Sequence, residues 1–568
     1  MTVAASDIAY PVRRALVLGL FGLAGALLVG RAVQLQVLDT GFLQHQGDMR
    51  FLHVIPIPAH RGMISDRNGE PLAISTPVDS VCANPGELVT DLGAARRLAR
   101  LLDLPGAGLV RKIQANKERK FLYIKRHIPP ELGRQVTAMD VPGVFLRREY
   151  QRYYPAGAVT AHVLGFTNID DVGQDGLELA YNNWLHGVPG SEQVLEDRFG
   201  HIVQEVELLR APRPGKNLIL SLDRRIQYLA YRELQAAVQQ HHARAGSLVM
   251  LDARTGEVLA MVNQPSYNPN NRAQLYGSRY RNRAVTDVFE PGSAIKPFTI
   301  ATALLSGRYR PDTIIDTRPG WFQVDNDTIR DVSDFGVIDV STVIEKSSNV
   351  GASKIALSLP AQLLWTEFHK FGFGQITSSG FPGEAMGRLR YYTKWHPVDQ
   401  ASLSFGYGIS VTALQLAQAY ATLADGGVMH PPRFLKANTP PAGTRVIPAS
   451  IAAQVRAMME RVVTKEGTGF RARVPGYLIA GKTGTVHRPI PGGYAKHRYN
   501  AIFAGMAPAS DPRLVMVVVI DDPRGEYYGG EVAAPVFARV MAGALRFLDI
   551  SPDAVPANQQ LVQWGDAA

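Results

Sequence analysis

Cysteine is almost absent from the chain, since Cys82 is the single one in 568 residues. One thiol cannot form an intramolecular disulfide, and a paired-cysteine redox or metal motif is excluded as well. We expect Cys82 to be a small buried residue, as unpaired cysteines commonly are. The sequence also lacks internal repeats and low-complexity tracts. Any catalysis must therefore use hydroxyl, amine, imidazole or carboxylate groups, and we expect neither a metal nor another cofactor.

Charged residues are also few, at 19% of the chain against 46% hydrophobic residues, a balance typical of globular domains with large cores. A chain of 568 residues is too long for one ordinary domain. The formal net charge of +10 fits an acidic polymer, an anionic membrane surface or a carboxylate-bearing substrate. It fits an ordinary basic surface equally well, so net charge does not identify a partner.

One targeting signal is clear, at the N-terminus. Arg13 and Arg14 precede an uncharged run over residues 15–30, which Arg31 closes and which apolar residues up to Leu38 can extend. About 20 residues cross a bilayer, so residues 13–38 are predicted to form an uncleaved signal anchor. A cleaved signal peptide is the alternative, but residues 29–31 lack its small-x-small cleavage pattern. The two arginines predict that a short tail, residues 1–12, lies in the cytoplasm.

Turn and linker residues divide the rest of the chain into two predicted domains. Residues 50–214 are polar and mixed, with an Asn68-Gly69 pair that predicts a tight turn. Residues 210–215 contain two prolines and a glycine and form the best linker. A second domain is predicted over residues 216–550, followed by a tail over residues 551–568.

The second domain alternates between strand and helix patterns. Residues 247–252 and 257–262 predict a hairpin, residues 500–507 and 513–520 another strand pair, and residues 412–424 and 533–547 helices. Ser221 is a predicted cap for a helix with an apolar face through Ile226 and Leu234. The order of these elements predicts an α+β domain with an antiparallel sheet covered by helices.

A serine and a lysine three residues apart form the first of three short motifs. Pro291 and Gly292 interrupt the chain before Ser293, and a helix pattern follows it, so Ser293 is predicted to lie in the first helical turn. Positions three apart share a helix face, which lets the Lys296 amine reach the Ser293 hydroxyl. A neutral lysine in that position can take the proton of a serine nucleophile.

A Lys-Thr-Gly-Thr sequence at residues 482–485 is predicted to lie on a strand. Alternation predicts Lys482 and Gly484 on one face and Thr483 and Thr485 on the other. The Lys482 charge could lower the pKa of Lys296, and Gly484 would let a substrate backbone approach closely. An ammonium group with two hydroxyl groups nearby is a suitable binding site for a substrate carboxylate.

The remaining motif, Ser347-Ser348-Asn349, precedes a helix pattern. Ser347 could relay a proton between Lys296 and a leaving amine, and Asn349 could hold a peptide amide. Ser-x-x-Lys or Ser-x-Asn alone occurs often by chance, so neither is evidence by itself. The three motifs together, on a helix start, a loop and a strand, form a much rarer combination.

These motifs resemble the three motifs of penicillin-binding proteins and serine β-lactamases. Residues 61–62, 66–69 and 173–178 resemble the pedestal, or dimerisation-type, module of class B penicillin-binding proteins. Residues 381–384 and 404–408 resemble segments of the division-specific type, penicillin-binding protein 3. The resemblance covers nearly the whole chain, from the anchor to about Leu548.

The resemblance implies a peptidoglycan D,D-transpeptidase. Ser293 would attack the penultimate D-alanyl carbonyl of a stem peptide, with Lys296 as base and Ser347 as relay. The N–H groups of Ser293 and Thr485 would form the oxyanion hole. The substrate carboxylate would be held by Lys482, Thr483 and Thr485, and β-lactams would acylate the same serine.

The resemblance also implies partners and a location. Class B proteins have no glycan polymerase module, none is recognised here, and such proteins work beside a SEDS-family glycosyltransferase and other membrane proteins of the division complex. No nucleic-acid partner is expected. The anchor implies a single pass through the inner membrane, with the catalytic domain in the periplasm.

Two tyrosines and one loop carry weaker signals. Tyr407 and Tyr528 are predicted to line the cleft, and residues 487–499 are either a loop on its rim or an ordinary basic loop. His241 and His242 are expected to be solvated turn residues, with a metal site the less favoured reading.

Three alternatives stay open. A β-lactamase is disfavoured because no Glu-x-x-Leu-Asn run follows Asn349. A D,D-carboxypeptidase differs only in using water as the acceptor, and a membrane-anchored sensor or scaffold would be acylated without turnover.

Overall fold

The structure is a computed structural model that describes residues 11–42, 52–196, 202–271, 273, 277–437, 439 and 442–554. Most of the predicted cytoplasmic tail and most of the predicted C-terminal tail lie outside the described residues. Nineteen strands occur within the described ranges. In chain order they are β1 (Leu52–Ile57), β2 (Ile64–Ser65), β3 (Pro71–Ala83), β4 (Leu122–Ile128), β5 (Val144–Tyr153), β6 (Gly190–Glu196), β7 (Ile202–Arg210), β8 (Leu218–Ile219), β9 (Ala245–Asp252), β10 (Val258–Gln264), β11 (Ile314–Asp316), β12 (Trp321–Val324), β13 (Asp327–Arg330), β14 (Val337–Asp339), β15 (Val428–Met429), β16 (Thr444–Arg445), β17 (Ala480–Ile490), β18 (Gly493–Ala507) and β19 (Leu514–Asp521).

Nineteen α-helices occur in the same described ranges. They are α1 (Pro11–Val33), α2 (Pro85–Leu88), α3 (Leu92–Leu101), α4 (Gly106–Ala115), α5 (Pro130–Ala138), α6 (Ala161–Leu164), α7 (Gly176–Ala180), α8 (Asn182–Leu185), α9 (Arg224–Gln240), α10 (Arg283–Thr286), α11 (Lys296–Leu305), α12 (Val340–Glu345), α13 (Asn349–Leu357), α14 (Ala361–Lys370), α15 (Pro397–Leu403), α16 (Ala413–Ala424), α17 (Ala449–Val462), α18 (Gly529–Val532) and α19 (Ala534–Phe547).

Helix α1 contains the predicted anchor. With its continuation to Leu38 it is long and apolar enough to cross a membrane, and none of its residues is buried against the protein. It is the one helix in the described residues that meets this test. An apolar helix without protein partners is stabilised when lipid covers it, which fits a single membrane span.

The described residues form two compact units, of which the first comprises those within 1–60, 77–151 and 187–214. It contains the antiparallel sheet β1-β6-β7, and β4 pairs with the second half of β3 against helices α3 and α4. Cys82 lies opposite Tyr123 in that pairing and is fully buried, as predicted. Burial raises the pKa of its thiol to about 12, so this cysteine is not reactive.

The second unit comprises the described residues within 61–76, 152–186 and 215–568. Its central sheet has the order β10-β9-β19-β18-β17, and every neighbouring pair is antiparallel. Helices α9 and α19 cover one face, and α11, α16 and α17 cover the other. The predicted α+β fold and the two predicted strand pairs are therefore confirmed, and β17 lies at the edge of the sheet.

Local signals explain why the elements begin where they do. Asp223, and not Ser221, caps α9, because its carboxylate accepts the N–H of Arg225. Ser221 is instead buried and its hydroxyl donates toward the carbonyls of Val258 and Arg433. The predicted cap was wrong by two residues because sequence pattern does not show which polar residue has a tertiary partner.

A buried ionic cluster joins the early segments of the second unit. Glu178 accepts from Arg61 Nε at 2.8 Å and from Arg152 Nε at 2.6 Å, and all three side chains are at most 1% exposed. A side chain at Gly62 would lie 2.0 Å from the carbonyl oxygen of Lys216. These contacts give a structural role to the residues on which the pedestal resemblance rested.

Candidate active site

The nucleophile turn, residues 291–295, follows the predicted break in the chain. Gly292 adopts a φ of 53°, and residues Gly292–Ile295 form a single 3-10 turn before α11 begins at Lys296. Ser293 therefore lies one turn before the α-helix and not inside it. The Nζ atom of Lys296 lies 3.0 Å from Ser293 Oγ, as the three-residue spacing predicts.

Lys296 is fully buried and surrounded by oxygen atoms. Its Nζ contacts the Ser347 carbonyl at 2.5 Å, Ser347 Oγ at 3.2 Å and Asn349 Oδ1 at 2.8 Å. Burial, and then the charge of Lys482, hold the pKa of Lys296 well below its usual value, against the smaller opposite effect of Asp331. A neutral amine donates two hydrogen bonds, which the Ser347 carbonyl and Asn349 can accept, and its lone pair can then face the Ser293 hydroxyl.

The second motif is held in place by Asp331, which the sequence did not reveal. Its carboxylate accepts the Ser348 hydroxyl at 2.6 Å, the Val350 N–H at 3.0 Å and the N–H of Asn349. These donors belong to the first turn of α13, where a negative charge is also favoured by the helix dipole. Asp331 lies sixteen residues before Ser347 at the end of β13, so only the fold brings the two together.

Ser347 has an unusual backbone conformation. Its φ is 64°, in the left-handed region that non-glycine residues rarely occupy. This conformation directs both its carbonyl and its hydroxyl toward Lys296 Nζ. Strain of this kind is found where the surrounding structure requires it, often at functional sites.

The third motif lies on the edge strand β17. Lys482 is fully buried, and burial lowers its pKa to about 7. Thr483 Oγ1 lies 2.7 Å from Thr468 Oγ1, and Thr485 Oγ1 accepts the Gly529 N–H at 2.9 Å. A Cβ atom at Gly530 would lie 3.6 Å from Thr483 Cγ2, so both threonines lie beside residues 529–530, in agreement with the predicted alternation.

Gly484 is required by a contact inside the chain. A Cβ atom there would lie 2.8 Å from the carbonyl oxygen of Pro291, in the nucleophile turn. A Cβ atom at Gly406 would similarly lie 2.1 Å from the carbonyl oxygen of Gly292. The sequence predicts close approach of a substrate at Gly484, and the structure shows that this glycine also allows β17 and the nucleophile turn to pack closely.

Two predicted rim residues lie near these motifs. Tyr407 is half-buried, its hydroxyl accepts the His487 N–H at 3.4 Å, and its ring packs edge-on against Tyr494 at 5.3 Å. Tyr528 is 48% exposed and directly precedes Gly529, which bonds to Thr485. Residues 487–499 are not a loop but the arms of a hairpin formed by β17 and β18.

Glu290 is a further buried group that sequence reasoning missed. Its carboxylate accepts the Gly408 N–H at 2.8 Å and the Tyr494 hydroxyl at 3.0 Å. Glu290 therefore links the segment just before the nucleophile turn to the β17–β18 hairpin. Burial raises its pKa. Among the residues that the structure describes, no group of three or more His, Cys, Asp or Glu side chains could hold a metal.

Two models of known protein families match the chain. Residues 246–542 match the family model for the penicillin-binding protein transpeptidase domain, and residues 56–220 match that for the penicillin-binding protein dimerisation domain. The transpeptidase match alone covers more than half of the chain and includes all three motifs.

Individual relatives resemble the chain over most of its length. It is 44% identical to the probable peptidoglycan D,D-transpeptidase PbpC of Pseudomonas aeruginosa, covering 95% of each chain. It is 43% identical to the peptidoglycan D,D-transpeptidase FtsI of Escherichia coli, covering 98% of this chain and 95% of the relative. The crystal structure of penicillin-binding protein 3 from Mycobacterium tuberculosis, complexed with aztreonam, is 28% identical with a TM-score of 0.69, covering 88% of this chain and 98% of that one. The chain therefore belongs to the penicillin-binding proteins, as a member with both a dimerisation and a transpeptidase domain.

Proposed function

We propose that this protein is a serine-type peptidoglycan D,D-transpeptidase. The observation that carries the proposal is a buried amine, Lys296 Nζ, whose pKa is well below its usual value, 3.0 Å from Ser293 Oγ. A lysine whose pKa is lowered in this way is neutral in a larger fraction of molecules than a free lysine, and a neutral amine can accept the serine proton. The names and identities of PbpC and FtsI support the same activity.

In the proposed reaction, Ser293 Oγ attacks the penultimate D-alanyl carbonyl of a stem peptide. A C–O bond forms, the peptide C–N bond breaks, and D-alanine leaves with a proton that Lys296 has taken from Ser293 and Ser347 relays. The amine of a second stem peptide then attacks the acyl-enzyme, which restores Ser293 and yields a cross-link. β-Lactams acylate the same oxygen.

The other motif residues bind the substrate in this proposal. Asn349 holds the peptide amide, and Lys482, Thr483 and Thr485 hold the terminal carboxylate, with Gly484 allowing the close packing of β17. The N–H groups of Ser293 and Thr485 form the oxyanion hole. The position of Ser293 at the start of a helical segment supports this role, because N–H groups there point outward.

Tyr407 and Tyr528 form the rim of the cleft in the same proposal. Tyr528 extends a group of aromatic rings in which Tyr499 and Tyr527 stack at 4.2 Å. Because Tyr407 contacts β17 through His487, it can hold the hairpin beside the nucleophile turn.

The similarity to FtsI supports a role in septal cell-wall synthesis. We assign residues 50–214 as the pedestal and residues 216–550 as the transpeptidase domain. Residues 13–38 anchor the chain in the inner membrane, with the short tail before Arg13 in the cytoplasm and the catalytic domain in the periplasm. A SEDS-family glycosyltransferase and other division-complex membrane proteins are the proposed partners.

The test combines labelling with turnover. The full-length protein in detergent is treated with a fluorescent penicillin beside Ser293→Ala and Ser306→Ala, a control at the other end of α11. A covalent band that Ser293→Ala alone loses is the expected result. A native protein that is folded but unlabelled would contradict the proposed nucleophile.

Turnover separates the transpeptidase from its alternatives. The protein is incubated with a stem-peptide substrate, with and without an amine acceptor, and released D-alanine and the acyl product are measured. We expect the amine adduct to predominate. Hydrolysis alone would indicate a carboxypeptidase, and labelling without D-alanine release would indicate a sensor or scaffold.

A further inference from the structure

A small cavity lies at the end of the central sheet, outside the three motifs. Its volume is about 120 Å³, room for about four water molecules. Phe289, four residues before Ser293, forms part of its wall. The backbone of Phe289 exchanges two hydrogen bonds with that of Val411, at 2.9 Å each. The cavity is therefore next to the chain segment that leads to the nucleophile turn.

Three polar side chains from neighbouring strands form a polar row that lines part of the cavity. Asn500 of β18 lies directly opposite Asp521 of β19, and Arg488, in the irregular part of β17, places its Nε 3.3 Å from Asp521 Oδ1. The next strand places Ala245 opposite Asp521. The small alanine side chain leaves open the space that a larger residue would fill.

The row contains polar atoms whose hydrogen-bonding capacity is unused. Asn500 is 6% exposed, yet its Oδ1 has no hydrogen-bond partner. Asp521 Oδ1 lies 3.3 Å from Arg488 Nε but is not aligned for a hydrogen bond, and Arg488 Nη1 is 3.6 Å from the nearest carboxylate oxygen of Asp522. A buried polar atom without a hydrogen-bond partner destabilises a protein, so a ligand that meets these atoms is favoured.

The remaining charged groups around the cavity already have partners. Arg244 pairs with the other oxygen of Asp521, and Arg283 pairs with Asp287 at 2.9 Å. With Arg488 the wall carries three cations and two anions, an excess of one positive charge. This near balance does not suit a polyanion or a divalent cation. It suits a molecule that donates hydrogen bonds at one end and accepts them at the other.

We propose that this cavity binds a small zwitterionic amino acid, of the size of glycine or alanine. Its ammonium group lies against Asn500 Oδ1 and Asp521 Oδ1, and its carboxylate lies against Arg488. Burial raises the pKa of Asp521, and an ammonium group beside that carboxylate would offset the effect. The site does not include Ser293 or the other motif residues, so the inference goes beyond the proposed reaction.

The experiment uses the full-length protein in detergent, first acylated with penicillin so that the catalytic cleft is blocked. Calorimetric titrations with D-alanine and glycine are compared with those using lactate, which lacks the ammonium group, and alaninamide, which lacks the carboxylate. We expect saturable binding of both amino acids and binding at least about tenfold weaker for both analogues. The absence of saturable binding would mean that the cavity holds water only and would overturn the proposal.

Two variants locate the binding. Asn500→Leu has nearly the same shape without the amide, and Ala245→Val fills the open space while the polar row stays intact. Both are expected to abolish binding, whereas Asn326→Leu, at an exposed turn, is a matched control that should bind as the native protein does. Native-like binding by both variants would overturn the proposal. Binding of lactate and alaninamide to the native protein as tight as that of the amino acids would also overturn it, and this measurement does not depend on the folding of any variant.

Discussion

Replacing Lys482 by methionine is expected to stabilise the protein while abolishing acylation by penicillin. Burial lowers the pKa of Lys482 from 10.5 to about 7, so its protonation is less favourable in the folded chain than in the unfolded one. The difference between these two pKa values corresponds to a loss of about 5 kcal/mol in the free energy of unfolding when Lys482 is charged. This figure is an upper limit because buried sites relax and admit water. Local contacts offset little of this, since the two acceptors of Nζ both belong to Thr483 and lie at 3.3 and 3.4 Å.

The penalty depends on pH in a defined direction. Below about pH 7 the folded chain carries the buried charge, and the full penalty applies. Above 10.5 the amine is neutral in both states, and the penalty vanishes. Between these limits the advantage of methionine should shrink by about 1.4 kcal/mol for each pH unit, leaving roughly 2 kcal/mol near pH 9.

Thermal unfolding of both full-length proteins in detergent, from about pH 6 to about pH 9.5, measures this effect. We expect Lys482→Met to raise Tm by several degrees at the acid end, with a difference that narrows toward the alkaline end. Lys482→Arg is the matched control, because arginine stays charged throughout and should gain nothing. A Tm for Lys482→Met equal to or below the native value at every pH would refute the argument that the amine is desolvated. A gain independent of pH would attribute the effect to packing.

Three further predictions concern acylation. The second-order rate constant for penicillin should fall as pH rises above about 7, because Lys482 then loses the proton with which it holds a carboxylate, and the fall should be absent in Lys482→Arg. Gly484→Ala should lower the same rate constant and destabilise the fold by about 1–3 kcal/mol, because its methyl group would meet the Pro291 carbonyl. Gly106→Ala, whose methyl group would have a single neighbour at 4.0 Å, is the control, and equal effects would contradict the contact. Asp331→Asn should slow acylation. It should also move the rising limb of the pH profile of acylation to lower pH, because the Asp331 charge raises the pKa of Lys296. A rising limb that does not move would exclude this electrostatic effect.

Much of the fold and of the candidate site could be predicted because the relevant signals are local. The spacing of Ser293 and Lys296 fixes their contact through one turn of backbone, and alternation along β17 fixes which side chains share a face. Two antiparallel pairs, β9 with β10 and β18 with β19, were also predictable, because a short connection joins two strand patterns that are neighbours in the sequence.

The remainder depends on contacts between distant parts of the chain. Asp331 holds the second motif from a separate hairpin, and Glu290 bonds to a tyrosine 204 residues away. Their positions are set by tertiary packing, which neither propensity nor spacing encodes. The contact of Gly484 with Pro291 was not predictable for the same reason, since Pro291 lies almost two hundred positions earlier.

The position of β17 at the edge of the sheet has a consequence for self-association. An edge strand presents unpaired backbone groups that can bind an extended peptide, but these groups can also pair with a second copy of the protein and start aggregation. In β17 the register shifts between His487 and Pro489, and a proline has no N–H to offer. Continuous pairing is therefore limited to the first half of the strand, where the Lys-Thr-Gly-Thr motif lies. The same edge can accept a short peptide while it resists the long edge-to-edge pairing that leads to insoluble assemblies.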